Sequence, residues 1–319
     1  MTRIGYALSC EEHRPTDLVQ LARRAEECGF EFALISDHFH PWTDRQGQSP
    51  FVWTVLGGIA QATEQLELGT GVTCPMIRIH PAVIAHAAAT VAAMMPGRFF
   101  LGLGTGENLN EHILGDGWPS ADVRLEMLEE SIEVIRLLWQ GGQQSHRGDY
   151  YTVEDARLYT LPDEPPPIVV AASKTGAAEL AGRTADGFCS TAPDAELIER
   201  FSSTGGDGKP RYGQLTVCYA PSEDEGRRTA FEWWPNAAIG GDLGQELPLP
   251  THFEQAAELV TEDDVAEKVV CGPDADLHAE GIEQYADAGF DHVYIHQVGP
   301  DQGGFFQFYE REILPRFRS

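Results

Sequence analysis

Lysine is nearly absent from this 319-residue chain, occurring only as Lys174, Lys209 and Lys268. Fifty Asp and Glu residues stand against 22 Lys and Arg, giving a formal net charge of −28. Such a surface makes nucleic acid and anionic membranes poor partners. The acid excess resembles that of enzymes from a salt-loaded cytoplasm, because at molar salt the screening length falls to about 3 Å and self-repulsion is largely removed. Long apolar runs are lacking too. No stretch approaches the roughly 20 residues of a membrane span, and the start, Met1-Thr2-Arg3-Ile4-Gly5-Tyr6, is not a secretory signal, so a cytoplasmic location is the default. Clustered cysteine is the third absence. Cys10, Cys28, Cys74, Cys189, Cys218 and Cys271 are scattered without a Cys-x-x-Cys pair, which disfavours zinc or a disulfide framework and leaves them as small apolar core residues.

What is present is an alternation of short apolar runs with longer helical patterns, the signature of βαβ units and a parallel sheet. Strand-like runs fall at Ile4–Ser9, Phe32–Ser36, Leu66–Val72, Phe99–Gly104, Pro167–Ala171, Gly187–Ser190, Leu215–Tyr219 and His292–His296. Helical patterns fall between them, for example from Pro15 to a stop at Gly29, from about Pro81 to Met95, and from Val123 to Trp139. Eight such units predict one (β/α)8 barrel spanning residues 1–319, with insertions after the fourth strand (about 107–122) and the seventh (about 220–260).

In such a barrel the loops after the strands converge on one face, so polar residues just past strand ends are site candidates. They are Glu11-Glu12-His13 after strand one, Asp37-His38-Phe39-His40-Pro41-Trp42 after strand two, Gly69 to Pro75 at strand three, and Gly104-Thr105-Gly106-Glu107-Asn108-Leu109-Asn110 after strand four. Each alone has a structural explanation as a turn or cap; their recurrence at successive strand ends is the functional signal. A dinucleotide fingerprint fails on spacing, since counting from Gly102 puts Glu107 where the third glycine belongs. His38 and His40 resemble half a metal site, but strands five and six offer only Ser173, Lys174, Ser190 and Thr191 as further ligands, so no metal is expected. Ser173-Lys174-Thr175-Gly176 sets a scarce lysine beside a helix N-terminus, an arrangement suited to phosphate or a plain capped helix.

Several segments together resemble the luciferase-like deazaflavin oxidoreductases: Ser36 to Trp42, Gly71 to Pro75, His80 to His86, Pro96 to Asn110 and Ala185 to Phe188. Among these, the chain is most similar to the deazaflavin-dependent glucose-6-phosphate dehydrogenases. The likeness runs from Gly5 to the end and weakens between about 200 and 260.

The resemblance implies a homodimeric barrel that binds coenzyme F420 at the mouth and moves hydride between it and a small-molecule substrate. It places Asp37, His38, Trp42 and Glu107 around the reacting carbon with Glu11 close by, and a cis peptide between Gly71 and Val72 behind the ring. Cys74, Thr105, Gly106, Asn110, Ser173, Lys174 and Thr175 complete the coenzyme contacts, and Thr191 and Lys268 fall at substrate positions. His38 is the first choice of base because imidazole titrates near working pH, Glu107 would protonate or hydrogen-bond the ring, Trp42 would pack beside the transition state, and Glu11 could exchange roles with either. Rival readings are an FMN-dependent monooxygenase of the same barrel family, a metal-dependent barrel hydrolase and a non-catalytic F420-binding protein. Few cations stand where the sugar-phosphate enzymes of this group have theirs, so a neutral alcohol, sugar or carbonyl compound is expected, with Trp233 and Trp234 as pocket walls. The rival source of charge for a phosphate is Arg211, Arg227 or Arg228.

Overall fold

The computed structural model describes residues 2–318. Its strands are β1 (Arg3–Leu8), β2 (Phe32–Ile35), β3 (Glu67–Thr70), β4 (Phe99–Leu103), a hairpin of β5 (Gln144–Arg147) and β6 (Thr152–Ala156), then β7 (Ile168–Ala171), β8 (Gly187–Ser190), β9 (Arg211–Cys218), β10 (Val270–Cys271) and β11 (His292–Gln297). Omitting β5, β6 and β10, eight strands run parallel in the order β9-β11-β1-β2-β3-β4-β7-β8, and β8 pairs with β9 to close the ring. This is a (β/α)8 barrel. β1 is the register reference, with Tyr6 opposite Ile295 on one side and Ala33 on the other.

Alternation along the strands builds two cores. Ala7, Phe32, Leu34, Phe100, Val169, Cys189, Tyr212 and Tyr294 fill the barrel, while their neighbours Tyr6, Leu8, Ala33 and Ile35 pack outward against the helices. Gly69 is required by that filling: a Cβ there would stand 2.0 Å from the Phe100 ring. The first helix, Pro15–Cys28, shows how the outer layer is specified. Proline opens it, Leu18, Ala22, Ala25 and Cys28 form its buried stripe, and Gly29 ends it at φ 89°.

The structure departs from the sequence reading in three places. β9 begins at Arg211 rather than Leu215, because Arg211 to Gln214 pair with β8 and β11 despite carrying a charge and a glycine. The β5–β6 hairpin was not expected; apart from buried Val153 and half-exposed Ala156 its residues are polar and half-exposed or exposed, so no apolar alternation marks it. β10 is a two-residue strand beside β9.

Both insertions cover the barrel mouth. The one after β4 holds the short helix Asn108–Glu111, and the one after β9 holds helices Glu223–Trp233, Leu243–Glu246 and Pro250–Ala257. All six cysteines are buried and free. No described helix is long and apolar enough to cross a membrane.

Candidate active site

The loops after β2, β3, β4, β7 and β8 enclose a cavity of about 520 Å³ at the C-terminal rim of the barrel. Its floor is built from small groups, Gly71, Val72, Gly104, Gly106, Ala171 and Ala172. The Gly71–Val72 peptide is cis. Gly104 admits no side chain, since a Cβ would fall 2.7 Å from Val72 Cγ2, and Gly106 sits at φ +70° with Cys74 Sγ 2.6 Å from any added Cβ. A flat slot results.

His38 stands on the wall of this slot with its side chain 10% exposed. Its Nδ1 lies 3.0 Å from Glu11 Oε1, an ion-pair distance without hydrogen-bond alignment, and its Nε2 lies 3.7 Å from Glu107 Oε2. Trp42 meets the imidazole edge-on at 5.1 Å and is itself held by Phe253 of the insertion. Glu11 is buried and does not line the cavity. Its other oxygen accepts from Ser9 Oγ at 2.9 Å and Ser36 Oγ at 2.8 Å. Burial pushes its carboxyl up, but the His38 charge, a backbone amide and the two hydroxyls outweigh it and hold Glu11 below the usual carboxylate range.

Glu107 precedes the helix Asn108–Glu111, and its Oε2 accepts from Asn110 Nδ2 at 3.1 Å. Asn110 also lines the cavity, while its Oδ1 accepts from the amides of Phe39 and His40 and ties the loops after β2 and β4 together. Asp37 borders the cavity but its carboxylate is engaged, accepting from Thr73 Oγ1 at 2.8 Å and Arg78 Nη2 at 2.9 Å. Arg78 donates its backbone amide to Glu111 as well, at 2.8 Å. This Asp37–Arg78–Glu111 group fixes the rim beneath the slot and lay outside the sequence reading. The cavity thiols are inert: burial pushes Cys74 well up and Cys189 to about 11. His40 places Nδ1 2.8 Å from the Leu109 carbonyl, and among the described residues no three His, Cys, Asp or Glu side chains converge to hold a metal.

A family model described as luciferase-like monooxygenase matches residues 1–292. The chain belongs to this family. It is 37% identical to an F420-dependent glucose-6-phosphate dehydrogenase of Microbacterium testaceum (strain StLB037), over 99% of this chain and 98% of that one. It is 33% identical to the enzyme of the same name from Mycobacterium tuberculosis (strain ATCC 25618 / H37Rv), over 99% and 98%. Among solved structures, an F420-dependent secondary alcohol dehydrogenase in complex with an F420–acetone adduct superposes with a TM-score of 0.92 at 31% identity, covering 100% of this chain and 99% of that one.

The remaining residues of this luciferase-like site divide into those that reach the cavity and those that do not. Thr105, Ser173, Lys174 and Thr191 line it; Thr175 begins the helix beside it without lining it. Lys268 is exposed and does not line it. The expectation for the two tryptophans is corrected. Trp234 packs edge-on over His296 at 4.5 Å, and Trp233 lies under Arg45 beside a second cavity lined by Glu12 and His13, so neither walls the slot. Arg211 binds the Gly289 carbonyl and Arg227 pairs with Asp263; neither they nor Arg228 reach the cavity. Arg124, Gln214, Gln245 and Tyr294 do line it and were not anticipated. Arg124 carried a signal: it shares the buried stripe of its helix with Leu128 and Ile135, where a cation is out of place.

Proposed function

We propose that this chain is a coenzyme F420-dependent oxidoreductase that removes hydride from a neutral alcohol or sugar, or returns it to the corresponding carbonyl. The observation that carries the reading is His38 set between a buried carboxylate, Glu11, and a half-buried one, Glu107, on the wall of a slot floored by glycine and alanine. The residues fit a deazaflavin. The floor accepts a flat ring, Glu107 and His38 stand on the wall, and Lys174 and Arg124 offer cations to an anionic tail. The relatives named above are F420-dependent by name.

When bound, the deazaflavin supplies the hydride acceptor or donor. An alcohol that gives up hydride must also lose its hydroxyl proton, and His38 is the base that takes it. Glu11 is a positioning residue: it stays ionised, orients the imidazole and stabilises the imidazolium once the proton arrives. Glu107 holds or donates a proton at the ring edge, and Trp42, braced by Phe253, keeps water from the reacting face.

A neutral substrate is favoured because the cations among the described residues that line the cavity, Lys174 and Arg124, are the ones offered to the coenzyme's anionic tail, which leaves none for a substrate phosphate. A homodimer is part of this reading, with the exposed apolar side chains of Phe51, at the start of the helix after β2, and Val83, on the helix after β3, as candidate contacts. Six free thiols fit a reducing cytoplasm. Titration of the purified protein with oxidised F420, FMN and NADP tests the assignment: F420 binds, and a screen of secondary alcohols and sugars reduces it. Binding of FMN or NADP in its place overturns it.

A further inference from the structure

Lys174 and Arg124 are the cations that line the cavity, and one short segment of the insertion engages both. Lys174 Nζ lies 2.5 Å from Asp242 Oδ1, while Arg124 Nη1 lies 3.5 Å from Glu246 Oε1 and Nη2 lies 3.3 Å from Gln245 Oε1. Gly244 and Gln245 of the same segment form part of the cavity wall. Their environments differ. The Lys174 side chain is 60% exposed, whereas that of Arg124 is 2% exposed, with the guanidinium 4.3 Å over the Trp118 ring.

Arg124 is incompletely compensated. It donates Nη1 to the Pro119 carbonyl at 2.6 Å, and its Nε has no partner among the described residues. Its one carboxylate neighbour, Glu246, stands at 3.5 Å and is 51% exposed. A buried guanidinium needs close, oriented acceptors, and its planar fork suits a carboxylate or phosphate. The N-terminal turns of the helices Ala121–Trp139 and Thr175–Thr184 open on the same wall, and neither has a side-chain cap. Asp122, exposed in the first turn of the helix that carries Arg124, also lines the cavity.

We propose that Arg124 and Lys174 form an anion subsite for the acidic tail of the coenzyme, and that Asp242 and Glu246 are placeholder counter-ions which the tail displaces. This rests on the F420 reading above. Both placeholder side chains are more than half exposed, so they turn into water readily when an anion arrives. In a chain with three lysines and a net charge of −28, two cations on one cavity wall mark where negative charge is admitted.

Fluorescence titration without substrate tests this, using intact F420 and the deazaflavin truncated before its phosphodiester. The wild type binds the intact coenzyme about tenfold or more tighter than the truncated one; Arg124→Met removes most of that preference and leaves truncated binding within about twofold. Glu246→Gln, a change at a half-exposed side chain, tightens the intact coenzyme about two- to fivefold and leaves the truncated one unchanged. Equal binding of the two compounds by the wild type, an unchanged preference in Arg124→Met, or equal weakening of both compounds overturns the subsite. If Arg124→Met does not fold, a Glu246→Gln protein with no gain overturns it alone. Glucose 6-phosphate that competes with the intact coenzyme alone assigns the subsite to a substrate anion and overturns the tail assignment. A wild type that binds neither deazaflavin removes the F420 reading itself, and the subsite with it.

Discussion

Glu11 Oε1 lies 3.0 Å from His38 Nδ1, and the carboxylate is buried while the imidazole reaches the cavity. The pair divides one task between two residues. In the proposed mechanism His38 meets the substrate, and Glu11 sets its orientation from behind, itself held by hydrogen bonds from Ser9 and Ser36.

Because Glu11 is held below the usual carboxylate range in the folded state, its ionised form stabilises the fold at pH above its unfolded value of about 4.5. That contribution is lost as pH falls through the lower folded value. The melting temperature of Glu11→Gln is therefore expected to trail the wild type most at about pH 6–8 and to approach it below about pH 4. A gap that widens on acidification contradicts the assignment.

Glu107→Gln keeps the amide-accepting geometry toward Asn110 but removes an acid. Coenzyme affinity is expected to stay within a few-fold while kcat falls about 100-fold or more, as for loss of an acid/base group. Full turnover in this variant makes Glu107 a spectator.

Much of the rim was legible because each element of it directly follows a strand. His38 follows β2, Gly71 follows β3 and Glu107 follows β4, so position after a strand end located all three in one place. Arg78 was hidden because its meaning lies in partners distant along the chain, Asp37 at 41 residues and Glu111 at 33. Its only local trace is a cation set among Met76, Ile77 and Ile79. The tryptophans misled for the opposite reason. Aromatic composition shows that Trp233 and Trp234 have a surface to cover, not that the surface belongs to the β11 end of the barrel instead of the slot.

The charge of −28 is expected to make stability depend on salt. Between about 0.01 M and 1 M the Debye length shrinks from about 30 Å to 3 Å, so carboxylate repulsion across the surface is screened. The melting temperature in KCl should rise across that range; a flat or falling series removes the halophilic reading.

A phosphorylated sugar gains little here, because Lys268 does not line the cavity and the lining cations, Lys174 and Arg124, are proposed to serve the coenzyme tail. Expected is a kcat/KM for glucose 6-phosphate no higher than for glucose or simple secondary alcohols. A large preference for the phosphate ester shows that a cation outside the cavity wall, such as Arg228, moves in to pair it.

The central claim is that His38 takes the proton when hydride passes to bound F420. Single-turnover mixing of wild type and His38→Ala with oxidised F420 and a secondary alcohol tests it, following loss of the coenzyme's visible absorbance. The account predicts that both proteins bind F420 within a few-fold, that the wild type bleaches it, and that His38→Ala does so about 100-fold or more slowly. Equal bleaching by the two proteins, at every pH tried, would contradict it.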